Sequence, residues 1–226
     1  MPSVKRVVVT SSMVTLIPFE WLANPDERLY TAADINPNPT RSVSSAMEAY
    51  WSSKALARIA AHDFMKTHQP HYDLVQILPG VVIGADDRAT SLSDLKENTP
   101  LWELKLSPVL GVKQPYPMVG VPIDVSDVAK AHVDAVIKPV PGNKDYLLAA
   151  GYPEGIEWDS MIDVAQRAFA NQCRDQSLPL GGTLPTTKWS VDCQETEDAF
   201  GWKFHSFDAT VERAIGQYIA LLEASK

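Results

Sequence analysis

Val4-Lys5-Arg6-Val7-Val8-Val9-Thr10-Ser11-Ser12, then Ala49-Tyr50-Trp51-Ser52-Ser53-Lys54-Ala55-Leu56-Ala57, then Leu78-Pro79-Gly80-Val81-Val82-Ile83-Gly84 decide the fold. The first stretch is a continuous β-branched run between a basic pair and small polar residues, which suits a buried strand of a parallel sheet. The second lies in a helical pattern from about Ser44 to Thr67. Ala46, Ala49, Tyr50, Ser53, Ala57 and Ala60 keep one face small, while Met47, Leu56, Ile59 and Phe64 add bulk elsewhere. Gln69-Pro70 closes the helix. Tyr72 to Leu78 is the next buried strand, stopped by Pro79-Gly80. Strand, loop, helix and strand in this order make a parallel βαβ crossover.

The remaining chain continues the α/β alternation. Residues 18–43 are loop-like, with four prolines and the turn segments Asn24-Pro25-Asp26 and Asn36-Pro37-Asn38-Pro39. Residues 85–117 are irregular apart from a helix near Leu92–Lys105. Met118 to Ile123 reads as one short strand. Asp124 to Ile137 reads as a helix capped by Asp124 or Ser126 and ended before Pro139. Asp145 to Ala150 is strand-like. Ile156 to Cys173 reads as one helix with Trp158, Ile162, Ala165 and Phe169 on a face. Leu184 to Trp189 reads as a late strand, and Asp208 to Glu223 as a final amphipathic helix. The expected fold class is α/β: an incomplete Rossmann-type parallel sheet with helices, plus a small C-terminal α/β substrate domain.

At 226 residues, with 45% apolar and 21% charged, the chain has an ordinary globular balance. A net charge of -8 without a Lys/Arg run argues against nucleic acid or an anionic membrane as partner. Cys173 and Cys193 do not make a disulfide framework and read as reduced thiols. No secretory leader pattern follows Met1, and no apolar stretch approaches bilayer length, so the cytoplasm is the expected compartment. His62, His68, His71, His132 and His205 lack carboxylate or Cys companions at ligand spacing, so no metal site is expected.

Helical residues four apart share a face, so Tyr50 and Lys54 point together. A phenol ionises near pH ~10 in isolation, and a neighbouring ammonium favours the phenolate. Such a tyrosine can exchange a proton with a carbonyl or alcohol oxygen. Ser12 ends the preceding strand, and ligands of open parallel sheets bind beyond the carboxyl ends of strands. The trio predicts a carbonyl or alcohol redox site. Trp51 points elsewhere on the helix, toward core or interface.

With these motifs the chain resembles the extended short-chain dehydrogenase/reductase family, within the NAD-dependent epimerase/dehydratase superfamily, and most of all its dihydroflavonol-4-reductase-like branch. The strand ending at Ser12 is similar to the family's catalytic-serine strand, and Tyr50-x-x-x-Lys54 to its catalytic pair. Leu78 to Gly84 resembles the segment whose main chain contacts the nicotinamide, and Val121 to His132 the strand-to-helix passage before the substrate domain. The resemblance implies that Tyr50 is the general acid, that Lys54 holds the nicotinamide ribose and tunes Tyr50, and that Ser12 holds the substrate oxygen. It implies cofactor contacts at Tyr50, Lys54, Pro79, Val82 and, more loosely, Ser91, with NADP or NAD supplying the hydride. Trp102, Tyr116 and Met118 fall where the family lines its substrate pocket. A small carbonyl or alcohol compound is the implied substrate. Two assemblies stay open: a homodimer packed along the 44–67 helix, and association through a bare sheet edge.

The sequence departs from the family in one respect. No Gly-rich phosphate loop follows a strand; Gly181-Gly182 precedes Thr-Leu-Pro and is no substitute. Family members carry that loop, and roughly a hundred residues at about thirty per βαβ unit, before the serine strand. The resemblance therefore implies a chain lacking the N-terminal dinucleotide-binding segment, whether by truncation or as a degenerate paralogue. On this view residues 1–84 are the C-terminal half of a Rossmann-like domain. Residues 85–226 form a mixed substrate-binding region in which 118–150 return to the core. A catalytically inactive binding or regulatory paralogue and a nucleotide-sugar epimerase or dehydratase are the alternative functions.

Overall fold

The computed structural model describes residues 3–99 and 101–225. Strand β1 (Arg6–Thr10) is followed by two 3₁₀ turns, Met13–Leu16 and Phe19–Leu22, and a long loop. Helix α1 (Ala46–His68) leads to β2 (Asp73–Pro79), which turns at Gly80 into β3 (Val81–Ile83). Short helices α2 (Leu92–Asn98) and α3 (Trp102–Lys105) precede β4 (Met118–Val119), β5 (Pro122–Asp124) and α4 (Val125–Ile137). Strand β6 (Lys144–Leu148), helices α5 (Met161–Ala168) and α6 (Ala170–Arg174), β7 (Thr186–Thr187), α7 (Gln194–Phe200) and α8 (Phe207–Ala224) complete the order.

The expected crossover is present. Strands β1, β2 and β6 form a parallel sheet in the order β1-β2-β6, with Thr10 opposite Ile77 and Ile77 opposite Tyr146. Helix α4 packs on β1 and β2, burying Ala131 and Ala135 with Val75, Ile77 and Tyr146. β1 is the sheet's edge, and Val9 is 38% exposed despite its apolar run, because a strand paired on one side leaves the other open. β3 pairs with β5 and β4 with β7, both parallel. A second core of Leu95, Trp102, Trp158, Met161, Val211 and Ile215 lies under α8.

Local chemistry fixes the limits of α1. Ser45 caps it by accepting from the Glu48 N–H at 3.1 Å, and the Glu48 carboxylate reaches back to the Ser44 N–H at 2.6 Å. Gln69 ends it in the left-handed region (φ 43°), donating its N–H to Met65 O at 3.1 Å.

Several boundaries differ from the sequence expectation. The small face of α1 is largely exposed; the buried side is Glu48, Trp51, Ser52, Ala55 and Arg58, covered by the 3₁₀ turns and their loop. The single strand expected over 118–123 is two, β4 and β5, in different sheets. Gly120 separates them where a Cβ would lie 2.4 Å from Ile156 O, so the chain must bend against another backbone there. The helix expected over 156–173 breaks at Phe169 (φ -130°, ψ 40°), and that near Leu92–Lys105 is two helices. The late strand shrinks to Thr186–Thr187.

Candidate active site

The carboxyl end of β1 is the meeting point. Ser12 follows it, 7% exposed, and its hydroxyl caps the Met13–Leu16 turn by accepting from the Val14 N–H at 3.4 Å. Lys54 Nζ donates to Thr10 O at 3.1 Å, tying α1 to the strand end two residues before Ser12. Tyr50 lies one turn earlier on the same helix, about 6 Å along the axis. Its ring is 43% exposed and packs edge-on to buried Trp51 at 6.3 Å. Among the described residues its hydroxyl has no hydrogen-bond partner, so it is open to a ligand.

Thr10 is held from the other side as well. His132 Nδ1 lies 2.7 Å from Val128 O, which requires an N–H there, and Nε2 is hydrogen-bonded to the Thr10 hydroxyl at 2.6 Å. His132 is therefore a brace between α4 and β1. Cys193 and Cys173 have their thiol pKa values pushed up by burial and read as packed thiols.

Pro79 is buried at the end of β2, opposite Leu148. A Cβ on the next residue, Gly80, would lie 2.0 Å from Val121 O and 2.9 Å from Met13 Sδ. The Pro79-Gly80 corner is therefore in contact with the residue that follows Ser12. Val82 is half-buried in β3, and its carbonyl accepts from Lys105 Nζ at 2.8 Å. Ser91 sits apart: its hydroxyl caps α2 by accepting from the Asp94 N–H at 3.1 Å. The structure thus brings Lys54 and the Pro79-Gly80 corner to the Ser12 turn, sets Tyr50 one helical turn from Lys54, and leaves Ser91 in a capping role.

A cavity of about 680 Å³ lies beyond the end of β3, lined by Val82, Asp86, Trp102, Lys105, Asp124 and Arg213 among others. Of the cofactor and catalytic residues expected from sequence, only Val82 lines it; of the three pocket candidates Trp102 lines it, while Tyr116 is 80% exposed and Met118 packs against the core under α8. Lys105 and Arg213 were not singled out by sequence; Asp124 was read only as the cap of α4, which it is, accepting from the Ser126 N–H at 2.8 Å. Asp124 and Arg213 form an ion pair 89 residues apart, which no local pattern announces.

Burial pushes the Lys105 pKa down to about 8 from 10.5. The folded chain then releases this proton near pH 8 and the unfolded chain near 10.5, so the unfolded state binds more protons between them and stability rises with pH. Against a Lys105→Met variant, which lacks this titration, the wild type should gain up to about 3 kcal/mol between those values. Urea midpoints at both ends of the window measure it. A difference between the two proteins that stays flat with pH would refute the assignment.

Arg58 is the most informative residue the sequence did not mark. It is 1% exposed and ion-paired with Asp145 at 2.7 Å, although it stands at the same four-residue spacing from Lys54 as Lys54 from Tyr50. Among the described residues no group of three His, Cys, Asp or Glu converges as a metal site would require. No helix among them is long and apolar enough to cross a membrane.

No protein-family model matches the chain. It is 34% identical to ketoreductase CTB6 of Cercospora nicotianae over 98% of its own length, and 29% identical to a putative NADPH-dependent methylglyoxal reductase of Candida albicans over 96%. It spans 62% and 64% of those proteins. The solved structure of yeast methylglyoxal/isovaleraldehyde reductase Gre2 with NADPH superposes with a TM-score of 0.75 at 24% identity, covering 98% of this chain and 65% of that one. Its similarity to these reductases over nearly its whole length, together with the fold it shares with Gre2, is consistent with the extended short-chain dehydrogenase/reductase family.

Proposed function

We propose that the protein reduces a small ketone or aldehyde with NADPH, with Tyr50 as proton donor. The observation that carries this is the Tyr50–Lys54 helix face fastened through Lys54 to the end of β1 two residues before Ser12, with an exposed phenol whose hydroxyl has no partner among the described residues. Relatives named as ketoreductases and as an NADPH-dependent reductase support the reaction class and favour NADPH over NADH.

The residues present fit the nicotinamide end of the nucleotide. Lys54 spends one N–H on Thr10 O, leaving two for ribose hydroxyls. The Pro79–Val82 corner lies beside the Ser12 turn, where the nicotinamide ring belongs in this reading. When bound, the nucleotide supplies the hydride. The Ser12 hydroxyl donates to the carbonyl oxygen and holds it near the phenol. Tyr50 gives its proton to that oxygen as the alcohol forms, and recovers one from solvent through its exposed edge. Ser91, engaged as a cap, keeps a cofactor role only through the family resemblance.

The same proposal divides the chain into a Rossmann-like part, 1–84, and a substrate-binding part, 85–226, within which β6 rejoins the sheet beside β2. A homodimer would be seated on the open face of α1, where Met47 and Phe64 stand exposed.

The test is consumption of NADPH, followed by absorbance, with a panel of small ketones and aldehydes. Turnover that depends on the carbonyl compound and is faster with NADPH than with NADH is expected. Folded protein that oxidises neither nucleotide would overturn the proposal in favour of a non-catalytic binding role.

A further inference from the structure

We infer that Arg58 is a positioning residue that seats Tyr50 and Lys54 against the Ser12 turn; this rests on the function proposed above. Tyr50, Lys54 and Arg58 stand at i, i+4 and i+8 of α1 and so follow one another along the helix. Lys54 grips the chain before Ser12, at Thr10 O. Arg58 grips it after Ser12: Nη1 donates to the Thr15 hydroxyl at 3.0 Å, and that hydroxyl donates to Ser12 O at 2.8 Å. The two cations bracket Ser12.

The guanidinium has three further acceptors. Nη1 also donates to Asp34 O at 2.8 Å, Nη2 to Ala32 O at 2.6 Å, and Nε to the Asp145 carboxylate at 2.7 Å. One planar fork therefore joins α1, the turn after β1, the 32–34 loop and β6. A lysine has the charge but not the fork, and cannot reach four acceptors in these directions. A buried ion pair adds little net stability over a packed apolar pair. The geometry around Ser12 is what an apolar substitute would lose, and a misplacement of about 1 Å near reacting atoms costs roughly a hundredfold in rate.

Two variants test this. Arg58→Lys keeps a cation for Asp145 and loses the fork. Thr15→Val removes the hydroxyl that links Arg58 Nη1 to Ser12 O and keeps the ion pair. Hydrogen exchange, read without any nucleotide, should rise at amides 13–16 and 50–54 in both variants and stay unchanged in β2. With NADPH and a ketone, kcat should fall about tenfold or more while nucleotide KM stays within about threefold, and Thr15→Val should stay folded with a melting temperature lower by no more than roughly ten degrees. Should Arg58→Lys fail to fold, Thr15→Val decides alone. Folded variants with wild-type exchange at 13–16, or with raised exchange and wild-type kcat, would overturn the positioning role. A wild type that turns over no carbonyl compound would defeat the reductase proposal. In that case, raised exchange confined to 13–16 and 50–54 would still uphold the link from Arg58 to the Ser12 turn.

Discussion

Tyr50→Phe should lower ketone reduction by about a thousandfold or more in kcat, because a positioned general acid is worth roughly 10²–10⁴ and phenylalanine has no proton to give. The substitution is quiet in every other respect. The hydroxyl has no partner among the described residues, so its removal strands nothing. The ring, 43% exposed, keeps its edge-on contact with Trp51. Melting temperature and nucleotide KM should therefore stay near wild type while kcat collapses. Such a pattern marks an interaction made in the transition state rather than in the bound complex. Steady-state kinetics with NADPH and the best carbonyl substrate, beside a thermal melt, give the answer. A variant that reduces the substrate within about threefold of the wild-type rate would remove Tyr50 from the chemistry and direct attention to the cavity beyond β3.

The βαβ core was legible because its signals are local. The Val7–Val9 run, the Gln69-Pro70 stop and the Pro79-Gly80 stop each act within a few residues of themselves. The pairing of Tyr50 with Lys54 follows from helix geometry alone. What sequence did not disclose depends on the approach of distant backbone. The break between β4 and β5 arises because Gly120 lies against Ile156 O, and the break at Phe169 belongs to the packing of α5 under α8. Arg58 escaped for a different reason. A charged residue among alanines on a helix reads as solvated, and only the loop from 11 to 34, folded over that face, shows that it is enclosed. The cavity beyond β3 draws its wall from β3, α3, α4 and α8, so no single stretch could announce it.

Asp145→Ala should destabilise the sheet by about 3–5 kcal/mol. The carboxylate is 8% exposed and accepts from Arg58 Nε at 2.7 Å, His62 Nε2 at 2.9 Å and Gln76 Nε2 at 3.1 Å. Without it, the Arg58 charge is buried with only neutral acceptors, and the Gln76 amide loses its partner. Burial pushes the Asp145 pKa up, but the His62 hydrogen bond and the Arg58 charge outweigh it and hold the group below the ordinary 3.8. A carboxyl lowered on folding contributes stability that is full above 3.8 and fades as pH falls through its lower folded value. The gap between wild type and variant should therefore close in acid. Urea unfolding of Asp145→Ala, Arg58→Met and the double variant makes the cycle. The double should be more stable than the sum of the singles by about 2 kcal/mol or more, since the charge that each single leaves unpaired is gone. An additive cycle, or a single variant within about 1 kcal/mol of wild type, would mean that water or relaxation already compensates these charges. The double variant also separates two uses of one pair. If it folds near wild-type stability yet stays slow with NADPH and ketone, the chain keeps the Arg58–Asp145 pair for where it sets Ser12, Tyr50 and Lys54, since an apolar pair would hold the sheet as well.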